Sequence, residues 1–153
     1  MAEYSNNAVQ TVNPGESISF IVAPVPCERG FVRWRSGSGA FSLSGWVPSS
    51  GCKCNRKNAQ YLVDFGANIA VPDGQTVGAI SVAFAIDGVT IPDTTMTVTP
   101  AAVEEYFNVS RASNVAVWNG CCQTLTVRNI SSIPILVQNA NIIFSRPDLA
   151  VTY

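Results

Sequence analysis

In Gln123-Thr124-Leu125-Thr126-Val127-Arg128-Asn129 polar and apolar residues alternate from Thr124 to Arg128. A period of two places Leu125 and Val127 on one face of an extended chain and Thr124, Thr126 and Arg128 on the other, the pattern of a half-buried β-strand. The β-branched Thr124, Thr126 and Val127 add to that preference. Working outward, the same alternation occurs in Ser17-Ile18-Ser19-Phe20-Ile21-Val22 and in Thr95-Met96-Thr97-Val98-Thr99. More continuous apolar runs cover residues 61 to 65, 79 to 86, 115 to 118, 133 to 137 and 140 to 144. Turn chemistry separates them at Asn13-Pro14-Gly15, Pro72-Asp73-Gly74, Asp87-Gly88, Ile91-Pro92-Asp93 and Asn119-Gly120. Short strands at this spacing predict an all-β sandwich or barrel rather than βαβ units.

Three stretches depart from that pattern. Pro100-Ala101-Ala102-Val103-Glu104-Glu105-Tyr106-Phe107 has Thr99 as an N-cap candidate and acids early, so it reads equally as one or two helical turns or as a plain loop. Residues 1 to 12 are polar with little patterning, which predicts an N-terminal arm, loose or added as a strand to another subunit. Residues 48 to 59 form a polar, Gly- and Ser-containing loop that holds Cys52 and Cys54. No repeat or linker divides the chain, so residues 13 to 153 read as a single domain.

At 153 residues the chain can bury about two-thirds of its unfolded surface. Only 12% of its residues are charged while 47% are hydrophobic, against roughly 25% charged in an ordinary soluble domain. Either uncharged polar residues cover the surface, or part of it is buried against other subunits; self-association is the favoured expectation. Net charge is −1, and the basic residues are scattered apart from Arg29, Arg33 and Arg35. Nucleic acid and anionic membranes need clustered cations, so neither is an expected partner. No run approaches the roughly 18 apolar residues that span a bilayer. Met1-Ala2-Glu3-Tyr4-Ser5-Asn6-Asn7 lacks the basic and apolar regions of a secretory signal, which predicts a protein that either stays inside the cell or leaves by lysis or assembly on a particle.

The chain has no histidine, which removes the commonest general base and the usual partner of a Ser or Cys nucleophile. No pair of acids is spaced as a glycosidase dyad, and Gly37-Ser38-Gly39 is a lone Gly-x-Gly without a following helix. These absences predict a non-enzymatic protein without a cofactor. Five cysteines remain: Cys27, Cys52, Cys54, Cys121 and Cys122. They read as disulfide partners within or between chains, as a thiolate metal site built from Cys52, Cys54, Cys121 and Cys122, or as small buried hydrophobes. The metal reading is weak, because neither pair is Cys-x-x-Cys. Trp34 and Trp46 with Arg33 and Arg35 are candidates for a ligand surface, such as a glycan platform, although tryptophans in an all-β chain more often fill the core or an interface. Asn108-Val109-Ser110 and Asn129-Ile130-Ser131 match the glycosylation sequon.

Beyond these readings, Asn68-Ile69-Ala70-Val71-Pro72-Asp73-Gly74 followed by Ile80-Ser81-Val82-Ala83-Phe84-Ala85-Ile86-Asp87-Gly88 resembles the Pro-x-Gly turn and long central strand of tumour necrosis factor-like and complement-head-like jelly rolls. Residues 120 to 129, with Ala140-Asn141-Ile142-Ile143-Phe144-Ser145-Arg146, are similar to the closing strands of bacterial collagen-like surface proteins, although Cys121-Cys122 replaces their usual Gly-Asp. The resemblance covers roughly residues 60 to 146 and no Gly-X-Y stalk accompanies it. It implies an antiparallel jelly-roll sandwich of ten strands, packed as a homotrimer about an apolar, aromatic-rich seam; Phe84, Phe107, Trp118 and Phe144 are its candidate residues. Such trimers form heads of fibres on virions, spores and cell surfaces. The expected function is therefore a capsid decoration or head-fibre protein of a phage, with residues 1 to 12 touching a capsid or coat protein. A spore-surface or extracellular filament subunit and a trimeric glycan-binding adhesin are the alternatives.

Overall fold

The computed structural model describes residues 1–47 and 58–149. Twelve strands are found among them: β1 (Ala2–Asn6), β2 (Gln10–Val12), β3 (Val22–Val25), β4 (Val32–Arg33), β5 (Phe41–Ser44), β6 (Asn58–Ala70), β7 (Ile80–Ile86), β8 (Val89–Thr90), β9 (Met96–Val98), β10 (Phe107–Trp118), β11 (Cys122–Asn129) and β12 (Ile135–Ser145). One sheet runs β10-β6-β12-β1-β3, with β2 also on β12; the other runs β4-β5-β11-β7-β8, with β9 also on β7. All pairings are antiparallel, and neighbours come from far apart in sequence, as in β1 with β12 and β5 with β11. The chain passes between sheets from β3 to β4, β5 to β6, β6 to β7, β9 to β10, β10 to β11 and β11 to β12. That is a jelly-roll sandwich.

Alternation builds the core, as the period of two requires. Tyr61, Val63, Phe65, Ala67 and Ile69 of β6 face Leu125 and Val127 of β11 and Val82 and Phe84 of β7, and all are buried. Phe41 is the centre of an aromatic cluster: its ring centroid lies 4.9 Å from those of Tyr4 and Phe144 and 5.2 Å from that of Phe20. Tilted pairs at these separations add to the area they bury. At one end of the sandwich the fully buried Asn129 donates from Nδ2 to the Val12 and Ile133 carbonyls, and its Oδ1 accepts from Ser131 N. The amide thus joins three segments, so the Asn129-Ile130-Ser131 sequon is not open to a glycan.

One expectation is corrected and one open alternative is decided. Residues 2–6 are no arm: β1 lies between β12 and β3, and Ala2, Tyr4 and Asn6 are buried. A segment paired on both sides has no free edge to give to a capsid protein or a neighbouring subunit. Residues 100–106 are turn and loop rather than helix, with Glu104 at φ 57°, outside the right-handed helical region, and its amide donating to the Val71 carbonyl.

Candidate functional site

The residues expected at a seam are split by the fold. Phe84 and Phe144 are 0% and 1% exposed inside the sandwich, so neither can meet another subunit. Both occupy inward positions of an alternating strand, a parity that position along the chain does not reveal. Phe107 and Trp118 are exposed, at opposite ends of β10. Of the ligand-surface candidates, Arg33, Trp34 and Arg35 line a groove of about 400 Å³ together with Ser42 and Thr124. Trp34 offers that groove little of its face: its indole N–H donates to the Ser38 carbonyl and its ring lies 4.9 Å from Tyr4. Trp46 stands elsewhere, stacked on Phe31 with centroids 5.8 Å apart. Cys27, Cys121 and Cys122 are free thiols, and Cys52 and Cys54 lie outside the described residues.

A face the sequence did not mark stands out once the ladder is set. Opposite residues in antiparallel strands share a face, so the outer surface of the β10-β6-β12-β1 sheet can be read row by row. One row is Ser110, Gly66, Asn141 and Ser5; the next is Ala112, Asp64, Ile143 and Glu3; then come Asn114, Leu62 and Ser145. These are small or uncharged residues around Leu62 and Ile143, with two carboxylates and no cation. Glu3 already accepts a 2.7 Å hydrogen bond from Asn141 Nδ2. Such a face carries little charge, but covering it requires hydrogen-bond partners for its Ser and Asn side chains as well as for Asp64 and Glu3. Arg111 is exposed next to it on the free edge of β10.

The second feature is a charged node at the end of β12. The side chains of Arg146 and Asp148 are 6% and 7% exposed and pair through two bonds, Nε to Oδ1 at 2.9 Å and Nη2 to Oδ2 at 2.8 Å. Nη2 also donates to the Trp46 carbonyl, and the guanidinium carbon lies 4.9 Å from the centroids of both Phe31 and Tyr61. A planar, delocalised cation is the only side chain that serves a bidentate carboxylate and two aromatic faces at once. Burial by itself would raise the Asp148 carboxyl; the bonds from Arg146 and from Gln60 N outweigh it and hold the group below the usual carboxylate range. Burial likewise raises the Tyr61 hydroxyl, with the nearby Arg146 charge opposing, while that hydroxyl is hydrogen-bonded to the Ser44 and Phe31 carbonyls. Burial, then the neighbouring Cys27, pushes Tyr4 up to about 12. In sequence Arg146-Pro147-Asp148 signals only the end of a strand, and so this node went unread.

Among the described residues no cluster of His, Cys, Asp and Glu could hold a metal, and no helix is long and apolar enough to cross a membrane. No protein-family model matches the sequence, and neither does any curated protein. Solved structures do. The globular domain of zebrafish complement 1qA superposes with a TM-score of 0.59 at 9% identity, covering 93% of this chain and 94% of that one. The Eiger tumour necrosis factor of S. frugiperda superposes with a TM-score of 0.64 at 13% identity, covering 99% and 93%. At these identities the likeness is one of fold. The chain has the jelly-roll fold that those two domains also have, over almost its full length.

Proposed function

We propose that this domain is a non-enzymatic structural subunit that assembles with copies of itself as a homotrimer, decorating a phage particle or forming the head of its fibre. The observation that supports this is the outer face of the β10-β6-β12-β1 sheet, broad, shallow and without a cation, in a chain only 12% charged. A monomer gains solubility from charge on such a face, whereas a subunit gains by covering it. The exposed Phe107 and Trp118 at the ends of β10 supply aromatic anchors at the rim. The virion assignment rests on the likeness of the closing strands to fibre-borne jelly rolls. Capsid attachment is assigned to a surface other than β1, which is paired on both sides.

Light scattering on the purified chain, with and without reductant, tests the reading. The expected mass is three chains in both conditions, because contacts across this sheet face rather than thiol chemistry hold the assembly. Leu62→Arg, on the outer face with its backbone paired to Asn114 and Ser145, should yield a folded monomer with an unchanged circular dichroism spectrum. A monomeric wild type sinks the proposal; larger species that collapse on reduction replace it with cysteine-linked assembly.

A further inference from the structure

The groove beside β4 opens on the sheet that the assembly reading leaves uncovered. Its floor follows from register: Arg33 of β4 stands opposite Ser42 of β5, and Ser42 opposite Thr124 of β11. Opposite residues share a face, and the adjoining Val32, Phe41, Leu43 and Leu125 are buried, so the three form one row on the outer surface. Arg35 and Ser38, from the loop between β4 and β5, join them in lining a space of about 400 Å³. Small-ligand sites commonly occupy roughly 300–1,000 Å³.

The polar groups of this row are unspent. Arg33 and Arg35 are exposed, and among the described residues neither guanidinium has an ion-pair or hydrogen-bond partner. The Ser42 and Thr124 hydroxyls, half-buried, make no bond to a described residue either. Ser38 Oγ accepts from Ala40 N and keeps its own hydrogen to donate. No carboxylate is among the described lining residues; Asp87 stands beyond Thr124, where its Oδ1 accepts from the Thr124 amide at 2.9 Å. The anionic part of a ligand therefore belongs at the Arg33 end of the row, away from Asp87.

These groups choose among anions. A guanidinium only donates, and its planar fork matches a carboxylate through two parallel bonds. A hydroxyl both donates and accepts, as the hydroxyls of a sugar require of a partner. Nucleic acid fits poorly, because it needs a track of cations and free aromatic faces for its bases. Trp34 offers no such face, with its indole N–H on the Ser38 carbonyl and its ring against Tyr4. An acidic peptide added as a strand would find only the two residues of β4 as an edge.

We infer that this groove binds an acidic sugar, its carboxylate held by Arg33 and Arg35 and its hydroxyls by Ser38, Ser42 and Thr124. The site belongs to one chain and lies on the sheet opposite the assembly face, so its occupancy is independent of whether the domain trimerises.

The Trp34 indole N–H, donating to Ser38 in the groove's own loop, supplies a local nuclear magnetic resonance signal. The full chain, isotopically labelled, is titrated with the trisaccharide of galacturonic acid. Saturable shifts are expected at that indole and at the amides of Arg33, Arg35, Ser42 and Thr124, with the Trp46 and Trp118 indoles unmoved. The neutral galactose trisaccharide should bind about tenfold or more weakly, as the loss of a charged hydrogen bond requires. Inorganic phosphate and polyuridylate at the same concentration should leave the signals in place. Arg33→Gln and Arg35→Gln should each weaken the acidic trisaccharide severalfold at an unchanged melting point, because neither side chain holds the fold. Ser42→Ala should also weaken it severalfold. Absence of any saturable shift overturns the inference. So does equal binding of the neutral trisaccharide, which would leave the arginines without a role, or full affinity in either arginine variant. Equal binding of phosphate would reduce the groove to an anion site indifferent to sugar, and equal or tighter binding of polyuridylate would replace the sugar with nucleic acid.

Discussion

Asp148 couples the end of β12 to the start of β6, since Oδ2 receives both Arg146 Nη2 and the Gln60 amide. A carboxyl held below its ordinary range stabilises the fold above that range, and the contribution is lost as pH falls through the folded-state value. Asp148→Asn should therefore cost about 3–5 kcal/mol near neutral pH, the usual penalty for stranding one partner of a buried pair. The difference in melting temperature between wild type and variant should narrow as pH drops below about 4, where the unfolded chain's Asp148 takes up a proton, and close only once the folded carboxyl, held lower, is protonated as well. Thermal melts at pH 7, 5, 4 and 3 measure this; a difference that stays constant with pH would assign Asp148 a steric role only. Asn139 shows the same economy in the backbone. It sits at φ 54° where the β12–β6 register slips between Gln138 and Asn141. Among residues with a side chain, Asn is one of the few that enter this region at low cost.

For elements, the strength of the sequence signal followed how apolar each inward face is. β11 carries Leu125 and Val127 at inward positions and reads cleanly, as does β9 with Met96 and Val98. β6 extends over thirteen residues, but only its first half was legible, because Gly66, Ala67 and Ala70 give a hydropathy period almost no amplitude. β10 faded in the same way through Ser110-Arg111-Ala112-Ser113. Ile18 and Phe20 are fully buried as their alternation predicts, yet the segment joins β11 through isolated bonds, Ile18 N to Val127 O among them, rather than a continuous ladder. The N-terminal segment is the instructive miss. Ala2, Tyr4 and Asn6 alternate with Glu3 and Ser5, but small and polar residues on the inward side look like a solvated tail. Removing residues 1–6 should accordingly abolish the fold, not merely higher assembly. It strips Tyr4 from the aromatic cluster, where loss of a large buried ring alone costs about 3–5 kcal/mol, and bares the inner edge of β12. A truncated chain with a cooperative melt and native near-ultraviolet circular dichroism would return the segment to the status of an arm.

Across the whole molecule, two carboxylates on an otherwise uncharged face constrain how copies can meet. Asp64 sits mid-sheet between Ala112 and Ile143, and Glu3 lies on the far side of Ile143. A two-fold pairing of face on face would bring these anions toward each other with no cation on the face to answer them, and like charges desolvated together cost several kcal/mol. A ring in which the β10 edge of one copy abuts the sheet face of the next instead carries Arg111 toward Asp64, and closes with a rotational axis. Asp64→Arg and Arg111→Asp should each weaken assembly by about 2–5 kcal/mol per interface, seen as a shift toward monomer in light scattering. The double variant, which restores complementarity between edge and face, should recover the mass of three chains. In a two-fold face-to-face assembly the double variant would behave like Asp64→Arg alone, because the edge arginine never enters the contact; that result would replace the ring with a dimer and move the axis onto Asp64.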